Sequence, residues 1–311
     1  MSVTAISTRR IERAEGLARL RPSFRFLLFF PAILYLVVMT QVPFVVTLWY
    51  SVHKWILTSP EAGRGFVGLA NYTETLVGDP TFRDAVINLV LITLGIIVPS
   101  LILGMVFALL LHRPFPLRGL VRALMIAPFF VMPTVNAVVW KNMLLNPVFG
   151  LLSWLTVTLH LGRFDLLTVS PKGGIITMAV WQWTPFMMLI LLAGLQGMPD
   201  EVREAARTDG ATRLTEFRYI TLPLLGRYIE LAVLLGTIYV LQLFGEIYVT
   251  TQGGPGTATT TVPYYVYQTI SQDNNVGLAA AQGVLAVVVA SIIAAFLLRL
   301  LARTFSRSVQ P

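Results

Sequence analysis

Residue types that usually carry catalysis or bind metals are scarce and scattered in this sequence. The chain has no cysteine, which excludes disulfides, thiolate zinc sites and thiol catalysis. Its three histidines lie too far apart for a histidine metal motif; they are His53, His112 and His160. Paired carboxylates, a Ser/Lys constellation and the G-x-x-x-x-G-K-S/T phosphate loop are also missing. We therefore expect that the chain is not an enzyme and binds no metal, cofactor or ATP itself.

The charged residues that the chain does have concentrate in one short segment. Residues 200–220 carry nine charges of both signs, and Asp209-Gly210 within them is a strong helix-stop signal. A second short helix is expected from near Thr212. A helix, a glycine bend and a second helix would form a surface suited to contact with another protein. The alternative is a solvated loop held by its own ion pairs, such as Glu204 with Arg207.

Candidates for contact with a hydroxylated solute lie inside the long apolar segments. They are Asn136, Trp140, Gln182, Gln242 and Glu246, and Trp183 is a further aromatic candidate. Glu246 is the only acid well inside such a segment, and acids inside membranes usually face a cavity or a partner; pairing with backbone groups is its alternative. Asn136 and Gln182 could instead join helices to one another. Trp140 could belong to the aromatic belt at the membrane interface.

The composition places these groups in a membrane. Apolar residues make up 56% of the chain and charged residues 12%, whereas a soluble domain has about a quarter of its residues charged. Six apolar segments are each long enough to cross the roughly 30 Å of hydrocarbon as a helix. They are residues 26–51, 85–111, 118–142, 175–197, 223–249 and 277–301. The sequence therefore predicts an all-α integral membrane protein with about six transmembrane helices.

The placement of basic residues predicts that both termini are cytoplasmic. The net charge is +8, and 17 of the 23 basic residues fall on the side of the N-terminus if six spans are crossed. Cytoplasmic loops carry such an excess of lysine and arginine. Residues 1–25 are expected to be a retained basic cytoplasmic tail, because no small-residue cleavage pattern closes the apolar run after them. The basic excess is thus a topology signal, and we expect contact with membrane lipid and not with nucleic acid.

A longer pattern makes the charged segment recognisable. It reads Glu204-Ala205-Ala206-x-x-Asp209-Gly210-Ala211, followed by Ile220-x-Leu222-Pro223. This pattern resembles the EAA loop of bacterial ABC importer permeases, and it stands after the fourth of the six predicted spans, as in that family. We call residues 199–223 the EAA-like loop. Many loops of this kind carry a second proline shortly after the Leu-Pro pair, whereas Arg227 stands near that place here.

The resemblance extends over most of the chain. Residues 66–72 resemble the external segment before the second span of carbohydrate permeases, and residues 250–256 resemble the loop before their last span. More narrowly, three stretches are similar to permeases for sorbitol, mannitol and related polyols; they are residues 127–134, 139–143 and 244–251.

This resemblance implies a type I ABC importer permease fold in the bacterial inner membrane, with residues 26–311 as the permease domain. Importers of this family combine two permease subunits, two copies of an ATPase and an extracytoplasmic solute-binding protein. ATP would be hydrolysed by the partners, and the substrate would be a sorbitol- or mannitol-like polyol or a related sugar. In coupling, Glu204 would bond to the ATPase and Gly210 would set the bend. The implied coupling residues are Glu204, Ala205, Ala206, Asp209, Gly210, Ala211, Leu222 and Pro223.

Besides a receptor or an assembly scaffold, two alternatives stay open from the sequence. An ion-coupled secondary sugar transporter would normally have more spans, an inverted repeat and several ionisable groups in the membrane, whereas this chain offers Glu246 alone. The second alternative is that the partner permease holds the solute site and that this subunit lacks one.

Overall fold

The computed structural model describes residues 22–59 and 65–306, and the chain divides into two units between Tyr50 and Ser51. The described part of the first unit belongs to one helix, α1 (Pro22–Ser51), whose last residue is the first of the second unit. Within α1, Phe29–Ser51 is long and apolar enough to cross a membrane. Residues 1–21 of the predicted basic tail lie outside the described residues, whereas residues 22–25 already belong to α1.

The described residues of the second unit contain helices, two isolated β-bridges and no strand. The helices are α2 (Ala70–Thr73), α3 (Pro80–His112), α4 (Arg118–Ile126), α5 (Pro133–Val139), α6 (Leu151–Thr158), α7 (Leu166–Val169), α8 (Pro171–Gln196), α9 (Asp200–Thr208), α10 (Arg213–Glu216), α11 (Leu222–Leu224), α12 (Gly226–Val240), α13 (Gly245–Thr250), α14 (Val262–Ser271) and α15 (Val276–Ser306). Single π- or 3₁₀-type turns follow four of them, at Glu74–Gly78, Ala127–Phe130, Trp140–Leu144 and Phe217–Thr221. The predicted all-α class is confirmed.

Among the described residues, four helices are long and apolar enough to span a membrane by themselves: α1, α3, α8 and α15. Two further candidates are bent pairs. Arg118–Phe130 meets Pro133–Leu144 at 98°, and Arg213–Leu224 meets Gly226–Val240 at 61°. If each bent pair makes one crossing, the described chain has six spans.

The structure interrupts two segments for which the sequence suggested a single helix, residues 118–142 and 223–249. In the first, the break falls just before Pro133, which has no N–H to continue a helical ladder. In the second, α12 ends at Val240 and α13 starts at Gly245. A Cβ on Gly245 would lie 3.0 Å from the hydroxyl of Thr134, so glycine allows α13 to begin against α5.

The main core is organised by a close contact between α3 and α8. A Cβ on Gly104 would lie 2.7 Å from the Cβ of Met187 and 2.9 Å from the backbone nitrogen of Met188. Ser100 and Ala108, one helical turn away on either side, are also buried. Small residues at this spacing let two helix backbones approach closely. The surrounding apolar cluster includes Ile92, Ile96, Leu191, Leu225, Ile229 and Ala232.

Both ends of α3 are bound to other elements of the second unit. Near its N-terminal end, the Asn88 amide donates to the carbonyls of Thr257 (2.7 Å) and Thr260 (2.9 Å). At its C-terminal end, Arg118 and Arg122 of α4 donate to carbonyls of its last turn at 3.4 and 3.1 Å. Cationic side chains at a helix C-terminus satisfy carbonyls that the helix itself leaves unbonded. The helix is therefore fixed at two points outside its own packing face.

Candidate coupling loop and solute path

The EAA-like loop is built around a left-handed glycine. Gly210 has a φ of +83°. Its N–H donates to the carbonyl of Arg207 at 3.1 Å, and the N–H of Ala211 donates to the carbonyl of Ala206 at 3.0 Å. These two bonds form a Schellman motif, which closes α9 and turns the chain. Helix α10 begins directly after Thr212, where the sequence predicted a second short helix.

One buried carboxylate joins the two short helices of this loop. Glu216 of α10 accepts from the Nε of Arg203 and from the Nε of Arg207, both of α9 and both at 3.0 Å. The Glu216 residue is only 6% exposed, so two guanidinium groups compensate its charge away from water. Arg207 thus bonds to Glu216 on the next helix, whereas the sequence suggested Glu204, whose side chain is exposed. The loop therefore has a defined internal geometry.

The residues implied in coupling lie on an accessible surface. Glu204, Ala205, Asp209 and Gly210 are exposed, and the other four are half-buried: Ala206, Ala211, Leu222 and Pro223. Large apolar side chains on the same loop are also exposed, with Leu214 at 74% and Tyr219 at 69%. The inner part of the loop is fixed, because Leu222 packs against the main core. The arrangement offers a partner a rigid, partly apolar surface.

Two of the predicted solute-path residues meet at the break between α4 and α5. The Asn136 amide donates to the Gln182 side-chain oxygen at 2.8 Å, and the Gln182 amide donates to the Val131 carbonyl at 2.6 Å. Both side chains are buried. Gln182 thus satisfies a carbonyl that the break removes from the helical ladder. This geometry favours the role in joining helices that the sequence left open for the pair.

The other three predicted solute-path residues are distributed around this junction. Trp140 is buried and lies edge-on to Trp181, with ring centroids 5.9 Å apart. Glu246 is 2% exposed on α13, which begins against α5. Gln242 is exposed in the gap between α12 and α13, and its amide donates to the carbonyl of Ile238 at 3.1 Å. Of the five residues, Gln242 offers the most accessible polar side chain.

Tyr239, three residues before Gln242, belongs to an aromatic cluster of which the sequence suggested only Trp183. Trp183 stacks on Tyr239 with ring centroids 5.6 Å apart, and Phe129 stacks on Phe186 at 5.3 Å. Tyr239 is 53% exposed, so part of the cluster is accessible, and Gln242, three residues further along the chain, is exposed as well. The i, i+3 spacing of Trp183 and Phe186 placed them on one face of α8. The partners from α12 and from the turn after α4 could not be read from that spacing.

The glycine-rich loop between α13 and α14 is closed by its own hydroxyls and carbonyls. Thr259 Oγ1 donates to the carbonyl of Gly254 (3.0 Å), and Thr260 Oγ1 donates to that of Gly253 (3.2 Å). The next helix is tied to the start of α3, since the Tyr265 hydroxyl donates to the Asp79 carboxylate. Burial, together with this hydrogen bond, raises the pKa of Tyr265 above its ordinary value. The loop is therefore closed on itself, and α14 is held against the start of α3.

Long apolar helices and two bent helix pairs describe a polytopic membrane protein, and its EAA-like loop is exposed and bends at Gly210. The sequence model of a family described as the binding-protein-dependent transport system inner membrane component matches residues 81–307. This match covers most of the chain, which therefore belongs to that family of inner-membrane transport permeases.

Individual relatives agree with the family. The chain is 35% identical over 240 residues to the probable ABC transporter permease protein y4oQ of Sinorhizobium fredii, covering 77% of each chain. It is 33% identical over 239 residues to the trehalose/maltose transport system permease protein MalF of Thermococcus litoralis, covering 76% of this chain and 80% of that protein. A chain in the crystal structure of a bacterial ABC transporter involved in the import of the acidic polysaccharide alginate shares the fold, with a TM-score of 0.76 at 20% identity over 95% of this chain and 98% of that one. The type I permease fold is thereby confirmed.

Proposed function

We propose that this chain is a permease subunit of an ATP-driven importer that moves a carbohydrate from an external solute-binding protein into the cytoplasm. The observation that carries the proposal is the exposed EAA-like loop with its left-handed Gly210, on a chain that belongs to a binding-protein-dependent transport family. Relatives named for trehalose and maltose transport support a carbohydrate as the solute. The family match offers no support for the ion-coupled transporter that the sequence left open.

In the proposed mechanism, the EAA-like loop transmits work from a separate ATPase. Two ATPase copies would bind this loop and its counterpart on a second permease, with Glu204 as a hydrogen-bonding group and Ala205 allowing close approach. Because Glu216 bonds to both arginines of α9, α9 and α10 would move as one body. Leu222 lies in the main core and precedes the 61° bend into α12, so displacement of the loop would reorient α12.

The solute path in this proposal runs past the exposed end of α12. A sugar or polyol presents hydroxyl groups and C–H faces, which carboxamides and aromatic rings accommodate without fixed charge. Tyr239 and Gln242 provide an aromatic face and a carboxamide there, both exposed. The buried side chains of Asn136, Gln182 and Trp140 would pack behind the residues that contact the solute. Glu246, which is also buried, would lie beside the path.

Within carbohydrates, we propose a sugar alcohol such as sorbitol or mannitol as the substrate, with a related sugar as the second candidate. The support for a polyol is the resemblance of residues 127–134, 139–143 and 244–251 to polyol permeases. Parts of these three stretches lie together in the structure. Helix α13 packs against α5, and the Lys141 side chain donates to the carbonyl of Val249 at 2.7 Å. The second candidate follows from the relatives, whose names specify trehalose and maltose.

The substrate test uses the whole importer, assembled with its ATPase, second permease and binding protein in proteoliposomes. Solute-stimulated ATP hydrolysis is measured across a panel of polyols and sugars, with uptake of each measured in parallel. We expect the largest stimulation from a hexitol. Stimulation by disaccharides alone would contradict the polyol assignment, and uptake without ATP would contradict the ATP-driven mechanism.

The orientation of the loop can be tested separately, because the chain has no native cysteine. A Leu214→Cys variant places one thiol on the EAA-like loop, and Val77→Cys places one at a site that is 86% exposed before α3. A membrane-impermeant thiol reagent added to intact cells should label Val77→Cys and not Leu214→Cys. Labelling of Leu214→Cys from outside would overturn the proposed topology.

A further inference from the structure

A cavity of about 590 Å³ lies between the C-terminal ends of α3 and α8 and the EAA-like loop. Its walls include apolar side chains of α3 and α8, such as Leu109 and Leu195. Six charged or titratable residues also line it: His112, Arg113, Arg203, Arg207, Arg213 and Glu216. The proposed importer mechanism assigns no ligand to this space.

The charges that line this cavity do not balance. Among the described residues that line it, four guanidinium groups share the cavity with one carboxylate, Glu216, which bonds to Arg203 and Arg207. Arg113, directly after α3, and Arg213, at the start of α10, also line the cavity, and both residues are exposed. His112 Nε2 lies 3.0 Å from Arg203 Nη1. The described residues of the lining therefore carry an excess of positive charge, to which Arg113 and Arg213 contribute, and favour an anion.

The shape of the charged groups indicates which anion. Guanidinium forks bind phosphate oxygens two at a time, and two forks facing one opening can hold one phosphate group. The volume lies within the range of small-molecule sites and exceeds what a phosphate group alone would fill. The apolar wall formed by Leu109, Leu195 and Phe217 leaves room for an organic body attached to that phosphate.

We infer that this cavity binds a phosphate ester, held by Arg113 and Arg213 with its organic part against the apolar wall. Two sources share this chemistry: the headgroup of an anionic phospholipid and a free sugar phosphate. The ligand would bridge the end of α3 to α10 and so resist displacement of the EAA-like loop. The effect on coupling rests on the proposed function, whereas the binding itself does not.

The test uses the intact importer complex in nanodiscs of phosphatidylcholine, with and without phosphatidylglycerol. Native mass spectrometry measures retained phosphatidylglycerol, and thermal unfolding in the lipid-neutral nanodiscs is followed as glucose 6-phosphate is added at constant ionic strength. The variant is Arg113→Gln/Arg213→Gln. The matched control is Arg218→Gln, an exposed arginine of the same loop that does not line the cavity.

We expect the double variant to bind the phosphate ester at least about tenfold more weakly, since it removes two charged donors and the loss of even one charge-assisted hydrogen bond weakens binding about tenfold or more. The control should bind as the wild type does. Retention of phosphatidylglycerol without a response to glucose 6-phosphate would identify a lipid, and the reverse would identify a soluble ester. Binding of neither probe, or equal loss in the control, would overturn the inference. So would unchanged probe binding with loss of ATPase co-purification, because the arginines would then serve an acidic side chain of the ATPase. ATP-dependent uptake, measured on the same samples, reports on the proposed function independently.

Discussion

Substitution of Gly210 isolates the conformational requirement of the EAA-like loop from any steric effect. A Cβ at this position would meet no heavy atom within 4 Å, so Gly210→Ala introduces no clash. Its cost is the φ of +83°, which an L-residue adopts at a penalty of about 1–2 kcal/mol. A penalty of that size lowers the population of the bent loop by a factor of about 5 to 30 relative to a relaxed form. If the ATPase binds only the bent loop, solute-stimulated ATP hydrolysis and uptake should fall together.

A graded series makes this prediction specific. Asparagine tolerates the left-handed region better than other non-glycine residues, so Gly210→Asn should retain more uptake than Gly210→Ala, and the β-branched Gly210→Val should retain least. The matched control is Gly119→Ala in α4, where a Cβ also meets nothing within 4 Å and no left-handed φ is required. Uptake is measured in proteoliposomes at equal amounts of assembled complex. Wild-type activity in Gly210→Ala, or a series without the expected order, would refute the reasoning.

Three further substitutions test other parts of the structure. Glu216→Gln should lower the free energy of unfolding by about 1–2 kcal/mol, since it removes the charge that two arginines share. The control Glu201→Gln, at an exposed residue, should leave the free energy of unfolding unchanged. Thermal unfolding in detergent measures both variants. Gly104→Ala should lower the free energy of unfolding by about 1–3 kcal/mol, because α3 and α8 must separate to admit the methyl group. The control Gly283→Ala, where a Cβ meets nothing within 4 Å, should leave it unchanged. Equal unfolding temperatures of the two variants would contradict the close contact. Tyr239→Ala should raise the apparent KM of uptake roughly fivefold, the equivalent of about 1 kcal/mol of ring stacking on the solute. Because the variant also loses the stack on Trp183, uptake is compared at equal amounts of folded complex; an unchanged KM would remove this residue from the solute path.

The long helices could be predicted well from the sequence because hydropathy alone determines them. Residues 85–111, 175–197 and 277–301 fall on α3, α8 and α15 almost throughout. The structure starts α3 five residues earlier, at Pro80, where the Asp79 side chain accepts the N–H of Thr81 and caps the helix. Such polar caps lie outside an apolar window by nature. The glycine bend at Gly210 could be predicted for a similar reason, since its signal is local.

Features that depend on distant partners could not be predicted. Glu216 bonds to Arg203 and Arg207, which lie 13 and 9 positions before it and on the other side of a bend. The periodicity of a single helix does not connect residues placed in this way. Gln182 and Val131 are 51 positions apart, so the carboxamide in α8 carried no sequence signal of the broken span that it stabilises. The aromatic cluster likewise joins three separate segments. In each case the side-chain type was visible, but its partner was determined by tertiary packing.

The bond from Gln182 to the Val131 carbonyl has a consequence for how this family can vary. A backbone carbonyl without a hydrogen-bond partner costs several kcal/mol within hydrocarbon. A bend at this place is therefore tolerated only where a nearby group donates a hydrogen bond to the carbonyl that the bend leaves unbonded. Homologous chains that keep the bend should therefore keep a donor at the position of Gln182. Chains in which that position becomes aliphatic should have straightened the third crossing or moved the donor to the position of Asn136. Paired substitution at these two sites across many homologues would record this exchange.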